Sequence, residues 1–308
     1  MDWNPPRRLF IPWLEKLSGL LAQVRMPLLR GRRLWIATDY CFNDRASDFD
    51  VIGLLVTDPD ACGEWLRLRN QIRANVLNDG KRSLSWKKLD SDGMRARAYL
   101  PFLWAANHIY GPAITIAFHR DTFDIETTDL DRVFEAFGVA EAEKWKRKRP
   151  NFEHMFRIAY CTAMMVAGLP RPNQAIHWLS DQDAAFADEK VENDTMAAFR
   201  SFLNLYLPHP ISELRYSTTA LSAEPLFQED LLSVPDLMCG AACEIHTAMK
   251  RQCGNLSDFQ GQFPDLSDRA REFLDWYANR GQWPLKRYFC SFESREGRVP
   301  SAGILRSF

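Results

Sequence analysis

The stretch that decides the fold is "RLWIATDYCFNDRASDFDVIGLLVTD", residues 33–58. Its first part, "RLWIATDY", and its last part, "FDVIGLLVTD", are rich in the aromatic and β-branched residues that strands favour. A short polar loop, residues 43–48, separates these two apolar runs. Two runs so close together predict a β-hairpin, with Asp39 at the exit of its first strand.

The rest of the chain alternates between helical and strand patterns. Three further strands are predicted from the runs "AITIAFHRD", "QAIHWLSD" and "LRYSTTAL", and the tail "LKRYFCSFESREGRVPSAGIL" predicts one edge strand. Apolar residues at helical spacing predict helices over residues 13–25, 59–77, 91–109, much of 128–168, a stretch ending at about 207, and a segment opened by Asp236. This order predicts an α/β fold with helices over a mixed central sheet.

Length and composition favour one large folded domain. The chain has 308 residues, of which 46% are hydrophobic and 26% charged, as is ordinary for a globular protein. We predict an N-terminal extension over residues 1–30, then a single domain over 31–308 with a helical insertion at about 128–168. No apolar run reaches the about 18 residues that a membrane span needs, so no membrane association is predicted.

Charge and cysteine usage narrow the cellular setting. The 39 Lys and Arg residues nearly balance 40 Asp and Glu residues, so any nucleic-acid contact must come from local patches. Seven scattered cysteines without a CxxC pair predict reduced thiols and a cytoplasmic protein. Cys239 and Cys243 are four residues apart on a predicted helix, where they are either metal ligands or, as we favour, small buried core residues.

Three acidic residues share a position at the ends of predicted elements. Asp39 follows the first strand, Asp181 follows the strand "AIHWLS", and Asp236 opens an apolar helix. Side chains at strand ends project into the crevice beside an α/β sheet, so the three carboxylates are predicted to converge there. Each also has a structural alternative, since Asp39 and Asp181 fit turns or caps, and Ser233 with Asp236 fits a capping box.

Converging carboxylates repel one another unless cations neutralise them. Mg²⁺ or Mn²⁺ is the expected cofactor because both prefer oxygen ligands, with Asp39, Asp181 and Asp236 as ligands and Asp183 as an alternative ligand. Such ions support phosphodiester hydrolysis. The histidines form no HExxH motif, and phosphate-loop, dinucleotide and GxSxG motifs do not occur in the chain.

Basic residues provide possible phosphate contacts. Lys88, and less strongly Lys87, is predicted to face the carboxylates from the motif "LSWKKL", a surface ion pair being the alternative. The segment "EKWKRKRP" interleaves cations with an aromatic ring, as nucleic-acid-binding segments do, although a solvated helix face is an alternative. Its predicted nucleic-acid-binding residues are Lys144, Lys146, Arg147, Lys148 and Arg149.

These landmarks resemble the bacterial family known as domain of unknown function 3800, which is similar to ribonuclease H-type folds. The family's strand ending in Asp-Glu-Ser-Gly corresponds to Asp39, and its apolar strand with a central glycine to "VIGLLV" around Gly53. Its Trp- and Lys-bearing motif corresponds to "LSWKKL", and its Ala-Asp-Leu-Val-Ala-Gly-Ala helix to "VPDLMCGAA" around Asp236. The resemblance covers about residues 34–248 and implies a ribonuclease H-like fold and a lysine near an acidic centre.

The chain departs from that family at the first strand. Tyr40, Cys41 and Phe42 stand where the family has Glu-Ser-Gly, so a second acid is missing unless a later aspartate replaces it. The candidates for that replacement are Asp44, Asp48 and Asp50. Two hypotheses result: a metal-dependent nuclease that binds nucleic acid, or an inactive member that serves as a structural or nucleic-acid-binding subunit of a larger assembly such as a phage-defence system. A protein partner or homo-oligomer is compatible with either.

Overall fold

A computed structural model describes most of the chain. The described residues are 12–24, 26–42, 44, 46–78, 82–120, 135, 149–169, 171–181, 189–207, 209–218, 225–254, 265–279, 281–295 and 298–306.

Seven strands form one mixed sheet in the order β5-β4-β1-β2-β3-β6-β7. Strands β1, β2 and β3 are antiparallel neighbours, β4 and β5 add in parallel beside β1, β6 adds in parallel beside β3, and β7 closes an antiparallel hairpin with β6. The strands are β1 (Arg33–Cys41), β2 (Phe49–Thr57), β3 (Gly111–His119), β4 (Ala175–Ser180), β5 (Glu213–Thr218), β6 (Leu285–Arg295) and β7 (Arg298–Arg306).

Helices cover both faces of this sheet. The described α-helices are α1 (Pro12–Leu21), α2 (Gly63–Ile72), α3 (Gly93–Ala106), α4 (Arg149–Gly168), α5 (Glu189–Tyr206), α6 (Pro225–Cys253) and α7 (Asp268–Ala278). Apolar side chains of α1, α4 and α5 form a core on one face, and those of α2, α3, α6 and α7 form a second core on the other. The predicted α/β fold with helices over a mixed sheet is confirmed.

The hairpin predicted from residues 33–58 lies at the centre of the sheet. Strands β1 and β2 pair in antiparallel register, with Asp39 directly opposite Gly53. Strand β2 is buried along its whole length, which explains why its sequence is a continuous apolar run rather than an alternating one. The predicted β-hairpin is therefore confirmed.

The tail differs from its prediction of one edge strand. It forms two strands, and β6 is an interior strand between β3 and β7. Its sequence misleads because Arg287 occupies an interior position, where the guanidinium donates to the side chain of Asn107 at 3.0 Å and to the carbonyl oxygen of Asn279 at 2.9 Å. These acceptors bind both terminal nitrogens of a charged side chain that is only 1% exposed.

The predicted N-terminal extension and the predicted helical insertion both contribute to the core where they are described. Leu17 and Leu21 of α1 are fully buried in the first core, although they belong to the predicted N-terminal extension. Helix α4, the end of the predicted insertion, is likewise buried along most of its length. Among the described helices, none combines the length and apolar character needed to cross a bilayer.

Candidate functional site

Asp39 lies on the face of the sheet that α6 covers. It pairs with Gly53 across the hairpin, and a side chain at position 53 would point at Pro235 of α6. Residues directly opposite in a sheet share a face, so Asp39 also points toward α6. The Asp39 residue is only 6% exposed.

Gly53 allows α6 to approach the sheet closely. A Cβ atom at this position would lie 2.8 Å from the carbonyl oxygen of Pro235 and 2.9 Å from Cys239 Sγ. The thiol of Cys239 donates to the carbonyl oxygen of Asp39 at 3.2 Å, which ties the helix directly to β1. Gly53 therefore provides a close contact between helix and sheet.

Gly240 of α6 packs against the "LSWKKL" segment and not against the sheet. Its missing side chain leaves room for the ring of Trp86, which a Cβ atom would overlap.

Asp236 does not open its helix, which corrects the predicted helix start and capping box. Helix α6 begins at Pro225, so Ser233, Pro235 and Asp236 all lie inside it. The Ser233 hydroxyl donates to the carbonyl oxygen of Glu229 at 2.8 Å, four residues earlier, and does not cap. Ser-x-Pro-Asp imitates a helix start because each of these residues is tolerated there.

The Asp236 carboxylate instead caps a turn of another segment. It accepts a hydrogen bond from the backbone N–H of Trp86 at 2.6 Å and one from the Ser85 hydroxyl at 3.4 Å. The turn, Trp86–Lys88, is a 3₁₀ helix whose first N–H groups need such acceptors. A helix side chain thus fixes the position of the segment that carries Lys87 and Lys88.

Asp181 completes a group of three carboxyl groups. It directly follows β4, and its backbone N–H donates to the carbonyl oxygen of Thr38 at 3.1 Å, beside Asp39. Asp181 is exposed, and its carboxyl group lies close enough to that of Asp39 to raise the pKa of Asp39. The structure thus brings Asp39, Asp181 and Asp236 together from a central strand, a strand end and a crossing helix.

Burial and mutual repulsion hold protons on this group. Burial raises the pKa of Asp39 well above its usual range, and the charges of Asp236 and Asp181 raise it further. Burial also raises the pKa of Asp236 to about 6, although the hydrogen bond from Trp86 acts in the opposite direction. Burial and the neighbouring negative charges therefore favour the protonated form of Asp39.

The three carboxyl groups line two adjoining cavities that open to solvent. The larger has a volume of about 610 Å³ and is lined on one side by Lys87. The smaller has a volume of about 270 Å³ and is lined by Lys88. Both cavities share Ser85 and the three aspartates, which therefore lie at their junction.

Lys87 and Lys88 both lie near the carboxyl groups and both are exposed. The preference for Lys88 assumed an extended segment on which one lysine points inward and the other outward. A 3₁₀ turn has about three residues per turn, so its successive side chains diverge by about 120° and do not alternate. The positive charge of Lys87 lowers the pKa of Asp236, which links this lysine electrostatically to the site.

The carboxyl groups fit a hard divalent cation by their chemistry. All three offer oxygen ligands, and burial together with neighbouring negative charge raises the pKa of Asp39 and that of Asp236. Among the described residues, no three His, Cys, Asp or Glu side chains are already arranged around a metal position. A cation bound by all three carboxyl groups would therefore require their side chains to rearrange and Asp39 to lose its proton.

The three candidates to replace the missing second acid, Asp44, Asp48 and Asp50, lie at different positions. Asp50 lies on the opposite face of the sheet, where burial would raise its pKa but His154, Arg157 and Arg120 lower it below its usual value. Its carboxylate lies 3.1 Å from His154 Nε2. Asp50 therefore cannot replace the missing second acid.

Asp44 lines the larger cavity, so it is the nearest of the three replacements. Asp48 lines neither cavity.

Several predicted residues lie outside the described part of the chain. These are Asp183 and the basic residues Lys144, Lys146, Arg147 and Lys148. Arg149 is the first residue of α4, but the position of its side chain is not described.

The cysteines near the site are core residues, as predicted. Cys239 and Cys243 are 1% and 4% exposed, and their thiols donate to backbone carbonyl oxygens of β1 and β2. Burial raises the pKa of Cys239 well above its usual range, which keeps this thiol protonated.

Arg269 is a cavity residue that sequence reasoning missed. Its guanidinium lies 4.4 Å from the centre of the Trp86 ring and donates to the Trp86 carbonyl oxygen at 3.1 Å. It also pairs with Asp90 at 2.8 Å and with Glu244 at 3.6 Å. No local pattern marks it, because the contact joins residues 183 positions apart.

Comparison of the chain with models of known protein families and with curated proteins found no match.

Proposed function

We propose that this protein hydrolyses nucleic-acid phosphodiesters with the help of Mg²⁺ or Mn²⁺, on a ribonuclease H-like fold. The observation that carries the proposal is the meeting of Asp39, Asp181 and Asp236 at the junction of two solvent-filled cavities. Three carboxyl groups held together at a cost in electrostatic free energy point to a cationic ligand. The resemblance to the domain of unknown function 3800 family supports the same activity.

The strand arrangement favours the proposed fold type. A three-stranded antiparallel meander, β1 to β3, is extended by β4 and β5 in parallel beside β1. The acids at β1 and at the end of β4 therefore lie on adjacent strands, and α6 crosses them with the third. Strand ends beside such a sheet are where ligands bind in α/β proteins.

Each residue has a distinct role in this proposal. Asp39, Asp181 and Asp236 hold the cation, while Lys87 and Lys88 attract the phosphate backbone into the cavities. When bound, the cation supplies Lewis-acid activation of a water molecule and neutralises charge on the phosphate. In the net reaction the oxygen of water bonds to phosphorus, one bridging P–O bond breaks, and the leaving oxygen takes up a proton.

Nuclease assays test the proposal directly. Single-stranded DNA and RNA, duplex DNA and RNA–DNA hybrids are incubated with the protein and Mg²⁺, Mn²⁺ or EDTA. Cleavage is expected with metal only, and Asp39→Asn is expected to reduce its rate at least about 100-fold because a metal ligand is lost. Cleavage that Asp39→Asn retains would refute the assignment of the site.

One observation favours the second candidate, a binding subunit without catalysis. Tyr40, at the place of the family's glutamate, turns away from the site, and its hydroxyl group lies 3.0 Å from Ser180 Oγ. The described carboxyl groups also lack a ready metal geometry. Nucleic-acid binding without cleavage in any metal, measured by fluorescence anisotropy beside the same nuclease assay, is the result that this candidate predicts.

A further inference from the structure

The lysines of the Trp86–Lys88 turn line different cavities. Lys87 lines the larger cavity and Lys88 lines the smaller one, although the two residues are adjacent in sequence. The 3₁₀ conformation fits this separation because it rotates successive side chains by about 120° around the turn axis.

The turn is rigidly attached to the carboxyl groups that it flanks. Asp236 accepts the hydrogen bond from the N–H of Trp86 at 2.6 Å, and the Trp86 ring fills the space left by Gly240. Arg269 covers the same ring at 4.4 Å and binds the Trp86 carbonyl group. The N–H, the ring and the carbonyl group of Trp86 are thus all held in place. These contacts fix the backbone of the turn that carries the two lysines beside Asp236.

Both cavities open to solvent and meet at the three aspartates. A site that trims chain ends needs a closed wall on one side of the reacting phosphate to stop the terminus. Here the three aspartates line both cavities, and each cavity is also lined by one lysine of the turn. A strand of alternating phosphates and bases can therefore extend through both cavities.

From this geometry we propose that the two cavities form one continuous groove for a single polynucleotide strand, which is cut internally. This inference rests on the proposed function. Lys87 contacts a phosphate on one side of the scissile bond, and Lys88 contacts a phosphate on the other. The site is therefore endonucleolytic and needs no free 5′ or 3′ end.

Circular substrates test the need for a free end. Circular single-stranded DNA and circular RNA are incubated with the full-length protein and Mn²⁺ beside linear strands of the same sequence. Conversion of circles to linear product at a rate within about threefold of internal cleavage in the linear strand is expected. Intact circles beside degraded linear strands would overturn the inference but leave the proposed function standing, whereas no cleavage of either substrate would overturn both.

Oligonucleotides with one uncharged linkage test which phosphate each lysine contacts. Linear oligonucleotides carry a neutral methylphosphonate one position 5′ or one position 3′ of the cleaved bond. Lys87→Ala and Lys88→Ala are each expected to lower kcat/KM on the unmodified strand about ten- to 100-fold, the usual effect of losing one hydrogen bond to a charged group. A methylphosphonate on the side that a lysine contacts should remove the effect of that lysine's substitution only.

Lys16 provides the matched control, since it is exposed on α1 and lines neither cavity. Lys16→Ala is expected to cleave every substrate like the wild type. The inference fails if each methylphosphonate changes kcat/KM of Lys87→Ala and Lys88→Ala to the same extent. The two lysines would then not contact phosphates on opposite sides of the cleaved bond. Circular dichroism spectra of the variants exclude unfolding as the cause of lost activity.

Discussion

At the scale of single residues, the site is defined by the competing demands on Asp236. Its carboxylate caps the Trp86 turn, which favours the ionised form, yet burial and the charge of Asp181 favour the protonated form. The net effect is a pKa of about 6, well above the ordinary value of 3.8. A residue needed only for capping would gain from full ionisation, so this balance is better explained by a ligand-binding role.

The raised pKa predicts a pH dependence of stability. The folded protein binds the Asp236 proton more tightly than the unfolded chain does, so this group stabilises the fold below the unfolded pKa. That contribution is lost as pH rises through about 6. The shift of about two pKa units corresponds to at most about 3 kcal/mol, and solvent access to the partly buried carboxylate reduces this to on the order of 1–2 kcal/mol.

Asp236→Asn isolates this term because Asn keeps an oxygen that can accept from Trp86 but cannot ionise. In EDTA, the free energy of unfolding of Asp236→Asn minus that of the wild type should be about 1–2 kcal/mol more positive at pH 8 than at pH 5. The variant is therefore expected to be relatively more stable at pH 8. Urea denaturation at both pH values measures the difference. An equal difference at pH 5 and pH 8 would show that Asp236 ionises normally in the folded protein.

At the scale of elements, the position of α6 determines whether the carboxyl groups meet. The helix approaches β2 closely enough that a methyl group at Gly53 would overlap the Pro235 carbonyl oxygen. Because that atom belongs to the helix backbone, the conflict cannot be relieved by rotating a side chain. The helix as a whole must move away from the sheet and take Asp236 with it.

Gly53→Ala is therefore expected to destabilise the protein by about 1–3 kcal/mol, as overpacking does, and to weaken Mn²⁺ binding. Gly19→Ala is the control, since an added Cβ at Gly19 in α1 would have no other described part of the chain within 4 Å, apart from its own helix. That substitution should be neutral or stabilise by up to about 1 kcal/mol through helix propensity. Thermal unfolding and Mn²⁺ titration of both variants test the contrast, and equal stabilities would contradict the close contact.

The elements also show what the sequence could predict. The apolar runs of β1 to β4 were recognisable because buried central strands are hydrophobic throughout, and Asp39 and Asp181 interrupt or end those runs visibly. The start of α6 was missed because Ser233, Pro235 and Asp236 imitate a helix N-terminus. The interior position of β6 was missed because Arg287 finds its hydrogen-bond acceptors in residues distant in sequence.

At the scale of the whole molecule, the site exists only in the folded chain. Asp39 and Asp236 are separated by almost 200 residues of sequence, and parallel pairing of β1 with β4 brings Asp181 beside Asp39. Pattern reasoning could place each acid at an element end, but it could not supply the lysine-bearing turn beside Asp236 or the two cavities. Those features depend on long-range contacts, such as that between Trp86 and Gly240.

Calorimetric titration with Mn²⁺ tests the central claim most directly. The wild-type protein should bind Mn²⁺ and release protons at pH 6, since the raised pKa of Asp39 keeps a proton there that the cation displaces. Asp39→Asn should bind at least about tenfold more weakly and release fewer protons, because it removes one ligand and one ionisable group. Equal binding by wild type and Asp39→Asn, or no binding by the wild type, would contradict a metal site at these carboxyl groups.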